Sequence, residues 1–142
     1  MRLTLHTDYA FRILMHLTAN NESLSTIDQI AKIYNISKNH LVKVVNTLVK
    51  AGFVEAIRGK GGGLRLAFKP KEINLGAVVR ATEPDFALVE CFLPTNSCII
   101  SPTCGLKHIF NKAISNFLKE LDSYNLHDLS LNKEKIAGIA KI

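Results

Sequence analysis

Between residues 25 and 68 the apolar pattern changes period, and this change constrains the fold more than any other feature of the chain. Ser25 or Thr26 can cap a short helix running to about Tyr34, with Ile27, Ile30 and Ala31 inward and Asp28 in the first turn. Asn35-Ile36-Ser37 breaks the pattern, and Ser37 suits the N-cap of a longer helix with the stripe Leu41, Val44, Val45 and Leu48. Ala51-Gly52 ends that helix, with Gly52 a natural left-handed cap. Two extended runs follow, 53–57 and 64–68, joined by Arg58-Gly59-Lys60-Gly61-Gly62-Gly63, a basic, glycine-dense hairpin tip. Two helices flanking a short turn, then a hairpin, make a winged helix-turn-helix. Residues 7–17, with Ala10, Phe11, Ile13, Leu14 and Leu17 at spacings of three and four, supply the helix before it.

The rest of the chain reads differently. A short helix spans about Leu75 to Thr82 and stops at Glu83-Pro84, because the proline disfavours helix in the residue before it. Residues 84–104 hold three of the four prolines, all three cysteines and no sustained periodicity. From Gly105 to about Tyr124, Leu106, Ile109, Phe110, Ala113, Ile114, Phe117, Leu118 and Leu121 form a broad apolar face. In a chain this small, such a face either covers the core or packs against a second copy. The expected fold is mainly α with a small β-hairpin. Residues 1–71 form the winged region, 72–104 a short helix and cysteine-bearing loop, 105–128 a long helix and 129–142 a tail.

Charge divides the molecule at the same place. Residues 1–71 carry eleven Lys/Arg against Asp8, Glu22, Asp28 and Glu55, a net of +7, whereas residues 72–142 carry seven against eight, a net of −1. Solubility needs no such segregation, so the basic half points to a polyanionic partner. No apolar run approaches the ~20 residues of a membrane span, and the N-terminus lacks an export pattern, so a cytoplasmic protein without a membrane partner is expected. Neither a nucleophile–base pair nor a phosphate loop is evident, so an enzyme is not expected.

A helix-turn-helix presents the start of its second helix to base edges in the major groove. Ser37, Lys38, Asn39, His40, Lys43 and Asn46 occupy that region and avoid the apolar stripe. Lys can read guanine, Asn can pair bidentately with adenine, and the remaining lysines can hold phosphate. A solvated helix surface would look similar, but the hairpin tip tilts the balance. Arg58, Lys60 and Arg65 bracket four glycines that let the backbone approach a phosphate or a narrow minor groove. These nine residues are the candidate contacts to double-stranded DNA.

The cysteines stand at Cys91, Cys98 and Cys104, with gaps of six and five. An odd number cannot pair completely, and clustered cytosolic cysteines are more often metal ligands or redox thiols than staples. Zinc sites usually pinch two cysteines closer together, so the wide spacing favours an iron–sulfur cluster held by an irregular loop. The alternatives are three unligated thiols, or zinc with His108, although His108 lies off the apolar face of its helix. His6, His16 and His127 have no ligand-like neighbours in sequence. Three thiolates leave one position open to a His, Asp or Glu, to solvent, or to a residue of another subunit.

Four segments together resemble the nitric-oxide-sensing repressors among the winged-helix iron–sulfur regulators, a group that also includes regulators of cluster biogenesis. They are Met1-Arg2-Leu3-Thr4 with Thr7-Asp8-Tyr9-Ala10, Ile36-Ser37-Lys38-Asn39-His40-Leu41-Val42-Lys43, the tip Arg58-Gly59-Lys60-Gly61-Gly62-Gly63, and Ile100-Ser101-Pro102-Thr103-Cys104-Gly105-Leu106-Lys107. The resemblance extends from Met1 to about Leu129. It implies a homodimeric repressor that binds operator DNA, with the helix after Gly105 as the dimerisation helix. It also implies a cluster on Cys91, Cys98 and Cys104, 4Fe–4S in preference to 2Fe–2S, completed by Asp8 of the partner subunit, with nitric oxide as signal. The first cysteine gap varies among relatives, so loop length does not determine the cluster type. A sensor of cluster or iron supply is the alternative within this group. An iron–sulfur assembly or electron-transfer protein would leave the basic half without a role.

Overall fold

The computed structural model describes residues 2–129; of the tail expected at 129–142, all but Leu129 lies outside the described residues. Helix α1 (Leu5–Ala19) begins before its apolar stripe, because Thr4 supplies a cap whose hydroxyl accepts the Thr7 N–H. Helix α2 (Ile27–Tyr34) opens with a reciprocal capping box. The Gln29 N–H donates to the Thr26 hydroxyl at 3.2 Å, and the Thr26 N–H donates to Gln29 Oε1 at 2.8 Å. Asn35 turns the chain at φ 51°, and α3 (Lys38–Lys50) follows. Ser37 takes the N-cap position, but its hydroxyl makes no capping bond, so only its backbone serves the start of α3.

The wing is an antiparallel pair, β1 (Val54–Ile57) and β2 (Gly63–Leu66), in register from Val54↔Leu66 to Ile57↔Gly63. Both strands are shorter than the extended runs predict. Pairing persists only through the Ala67 N–H bond to Phe53 O, 3.0 Å, before the chain bends into a 3₁₀ turn at Pro70–Glu72. Gly62 is required at the tip, since a Cβ there would lie 2.2 Å from Ile57 O. Ser25 and Leu64 exchange both backbone hydrogen bonds, 3.1 and 2.8 Å, which ties β2 to the α1–α2 connection.

Helix α4 (Leu75–Thr82) ends where the sequence predicts, at Glu83-Pro84. The cysteine loop follows, with one 3₁₀ turn at Glu90–Phe92, and then α5 (Leu106–Asp122) and a last 3₁₀ turn at Leu126–Leu129. One core joins Ile13 and Leu14 of α1, Leu41, Val44 and Leu48 of α3, Val54 and Leu64 of the wing, Val78 of α4, and Leu126. That core crosses residue 71 without a break, since Ile73, Leu75, Val78 and Leu126 belong to it together with the winged residues. Beyond 71 the Leu126 N–H bonds to Ile73 O at 2.8 Å, and the Leu75 N–H to Tyr124 O at 3.1 Å.

In contrast, α5 buries no side chain completely. It meets α4 through a bidentate Arg80–Asp122 pair, 2.6 and 2.7 Å, for which Gly76 leaves room. The architecture is the expected one, mainly helical, with a single hairpin among the described residues. No helix among the described residues is long and apolar enough to cross a membrane.

Candidate nucleic-acid interface and cysteine loop

Burial sorts the two sides of α3. Leu41, Val44, Val45 and Leu48 face the core, while Ser37, Lys38, Asn39, His40, Lys43 and Asn46 are all exposed. The N-terminal turn of α1 lies beside this surface. Tyr9 and His40 stack at a tilt with ring centroids 6.5 Å apart, and His6 Nε2 lies 3.0 Å from the Thr47 hydroxyl. Together with Leu5, Lys43 and Val44 these rings line an apolar notch of about 220 Å³. Sequence reading missed the contribution of α1, because nothing in residues 5–9 signals which helix they will face.

The candidate cations are not equivalent. Lys38 Nζ pairs with Asp28 of α2, 2.8 Å from Oδ1 and 3.0 Å from Oδ2. Arg65 directs Nε and Nη2 onto Glu55 Oε2, each at 2.7 Å, across the wing. Lys43, Arg58 and Lys60 are exposed and form no ion pair among the described residues.

Asp8 sits one turn into α1, where its Oδ2 accepts Arg12 Nη2 at 2.7 Å. The start of α1 is locked to the end of α4 by Glu83. Glu83 Oε1 accepts the Thr4 N–H at 2.8 Å and the Thr4 hydroxyl at 3.0 Å. The buried Thr7 hydroxyl lies between that carboxylate and the Thr82 hydroxyl. Glu83 was not legible as a site residue, since its partners lie 76 and 79 positions away. The cysteine loop starts at this lock. A groove of about 570 Å³ runs between it and α5, lined by Arg2, Thr4, Glu83, Phe86, Ile114 and Phe117 among others.

Cys91, Cys98 and Cys104 are all free thiols, half-buried on the one loop. Glu90, next to Cys91, accepts both the N–H and the hydroxyl of Ser97, next to Cys98, at 2.9 and 2.7 Å. These bonds hold the Glu90 carboxyl below its usual range and draw the first two cysteine positions into one fold of the loop. The Ser101 N–H bonds to Cys98 O at 3.1 Å, which tightens the approach to Cys104. In chemistry the donor set fits an iron–sulfur cluster: three thiols with no disulfide. The described residues do not bring any three His, Cys, Asp or Glu side chains together as a metal site, and His108 is exposed on α5.

Residues 3–132 match the family described as "Rrf2: Iron-dependent Transcriptional regulator". The chain is 53% identical to the HTH-type transcriptional regulator NsrR of Bacillus subtilis, over 100% of this chain and 99% of that protein. It is 46% identical to NsrR of Halalkalibacterium halodurans over the same shares. Among solved structures it is similar to CymR, the global cysteine regulator of B. subtilis. There the TM-score is 0.67 and the identity 25%, covering 92% of this chain and 96% of that one. The likeness to T. potens IscR, TM-score 0.72 at 23% identity over 91% and 85% of the two chains, is one of fold. The chain belongs to the Rrf2 family of transcriptional regulators.

Proposed function

We propose that this protein is a transcriptional repressor that binds operator DNA as a homodimer and releases it in response to nitric oxide. In this reading Cys91, Cys98 and Cys104, with Asp8 of the partner subunit, hold an iron–sulfur cluster. The observation that carries the DNA-binding part is the pairing of two surfaces. The exposed polar face of α3, with Asn39, His40, Lys43 and Asn46, is followed by a wing whose Arg58 and Lys60 are exposed and unpaired among the described residues. Such a helix suits the major groove, and such cations suit phosphate.

Three free thiols on one loop support the cluster, and the sequence resemblance to nitric-oxide-sensing repressors supports the signal. When bound, the cluster supplies iron at which nitric oxide can bind. The chain's own part is mechanical. Helix α1 carries Asp8, packs along α3, and is bonded through Thr4 and Thr7 to Glu83 at the head of the cysteine loop. A carboxylate held from the partner subunit fixes α1 and, through the α1–α3 packing, the seat of the reading helix. Half-sites one helical turn apart tolerate little error in that seat, so a small shift releases DNA. The exposed Leu106 and Ile109 of α5 support the second copy.

The test is the visible spectrum of protein purified without oxygen, followed during stepwise addition of nitric oxide. In parallel, binding is measured to a duplex that the protein selects from a random pool. The expected result is a broad band near roughly 400 nm that bleaches as DNA is released. A colourless protein that stays so after reconstitution with iron and sulfide removes the sensing reading and leaves a DNA binder with free thiols. Release on cluster loss without a response to nitric oxide makes the protein a reporter of cluster supply.

A further inference from the structure

We infer that Asp28 and Glu55 set how strongly this surface holds DNA of any sequence, by keeping Lys38 and Arg65 out of the phosphate contacts. This rests on the DNA-binding reading above. Both cations belong to the segments that would meet the duplex, and each is already satisfied within the chain. Lys38, the first residue of α3, reaches across the turn to both carboxylate oxygens of Asp28, the second residue of α2. Arg65 and Glu55 are register partners on β2 and β1, with two guanidinium nitrogens on one oxygen.

Neither pair is needed to hold the fold. The side chains of Lys38 and Asp28 are 58% and 60% exposed, those of Arg65 and Glu55 58% and 46%, and solvent screens such pairs almost to neutrality in stability. The α2–α3 unit is held instead by Ile30, Ile36, Leu41 and Val45 in the core, and the wing by Val54 and Leu64. The effect of the carboxylates therefore falls on what approaches from outside. A carboxylate against a lysine or arginine cancels its charge towards a phosphate and adds a repulsive charge of its own. Of the five candidate cations, Lys43, Arg58 and Lys60 remain uncompensated among the described residues. Counterion release should follow these three, a slope of about −2.7 in log affinity against log salt for each protomer, not the roughly −4.5 of five.

The experiment measures binding of the full-length protein, by fluorescence anisotropy across a salt series, to a selected duplex and to an unrelated one. The variants are Asp28→Asn, Glu55→Gln, Lys38→Ala and Lys43→Ala, with circular dichroism and melting as checks of the fold. Asp28→Asn and Glu55→Gln are each expected to tighten both duplexes by roughly two- to fivefold per protomer. Each should also steepen the slope by about 0.9 per protomer as its cation is freed. Lys38→Ala leaves the slope unchanged, whereas Lys43→Ala flattens it by about 0.9. If Lys38→Ala flattens the slope and Asp28→Asn does not steepen it, Lys38 already lies on phosphate and the inference is overturned. If Lys43→Ala behaves as stated while both carboxylate variants match the wild type, this inference alone fails. A wild type that binds neither duplex overturns the DNA-binding reading and this inference with it.

Discussion

His16 is the histidine the fold buries, and its surroundings make it a proton-sensitive point in the winged unit. Its residue exposure is 5%, Nε2 lies 3.2 Å from the Ser25 hydroxyl, and the Tyr34 ring stands nearly perpendicular to its own with centroids 5.9 Å apart. Nδ1 has no hydrogen-bond partner among the described residues. Burial lowers the pKa from its ordinary value of 6.5, so the folded protein prefers the neutral ring. The unfolded chain takes up a proton near that value while the folded chain does not. Stability from this group is therefore complete above 6.5 and is lost as pH falls from there through the lower folded-state pKa. Melting temperatures between about pH 7.5 and 5 should fall more steeply for the wild type than for His16→Gln, which cannot titrate. Parallel curves would clear His16 of this role. Asp8 poses a different residue-scale question, because Arg12 already holds one of its oxygens. A carboxylate recruited by a partner subunit must leave or share that guanidinium. Asp8→Ala is expected to keep iron on the three thiols yet reduce, several-fold, the ratio of operator affinities with and without cluster. An unchanged ratio would remove Asp8 from the ligand set.

Among the elements, α1 is the strut between the cysteine loop and α3. Its buried stripe faces α3 and α4, and its first turn is bonded to Glu83. At the other end of the chain, the short turn Leu126–Leu129 returns from α5 to the winged unit, and Leu126 is fully buried there. Its apolar burial and its backbone bond to Ile73 dock the end of α5 against the same core that positions α3. Leu126→Ala should therefore cost about 2–5 kcal/mol of stability in urea unfolding, the usual range for a leucine deleted from a packed site. A loss below about 1 kcal/mol would mean that this turn is not docked in solution. The Arg80–Asp122 pair contributes alignment: it is exposed, and its bidentate geometry fixes how α5 leaves α4.

For the whole molecule, the unfinished surface is the apolar face of α5. Ile109 is 61% exposed and Leu106 48%, on a helix that buries none of its side chains completely. Two large apolar side chains exposed three residues apart on one helix face are the kind of patch an interaction surface presents. With the basic half at the other end of the chain, a dimer through α5 would present two reading units to one duplex, as a two-fold operator requires. Ile109→Glu places a charge in that patch without touching the core, so it should give a folded monomer in analytical ultracentrifugation. A variant that sediments like a dimeric wild type would place the interface elsewhere.

Much of this architecture is local in origin and could be read from the chain before folding. The reciprocal bonds of Thr26 and Gln29, the left-handed Gly52, the stop at Glu83-Pro84 and the glycine-rich tip all follow from the backbone needs of a few adjacent residues. The stripe of α3 follows likewise from helical period, which also left Asn39, His40, Lys43 and Asn46 on the outer face. What only the tertiary structure decided is which of those groups are free to act. Lys38 and Arg65 look like any other cation in sequence, yet each lies ten residues from a carboxylate that captures it. Glu83 gains its role from Thr4 and Thr7, and Leu126 its burial from Ile73 and the α1 core. The physical reason is range. Caps and periods depend on neighbours along the chain, whereas ion pairing and burial depend on neighbours in space, which exist only once distant segments have packed.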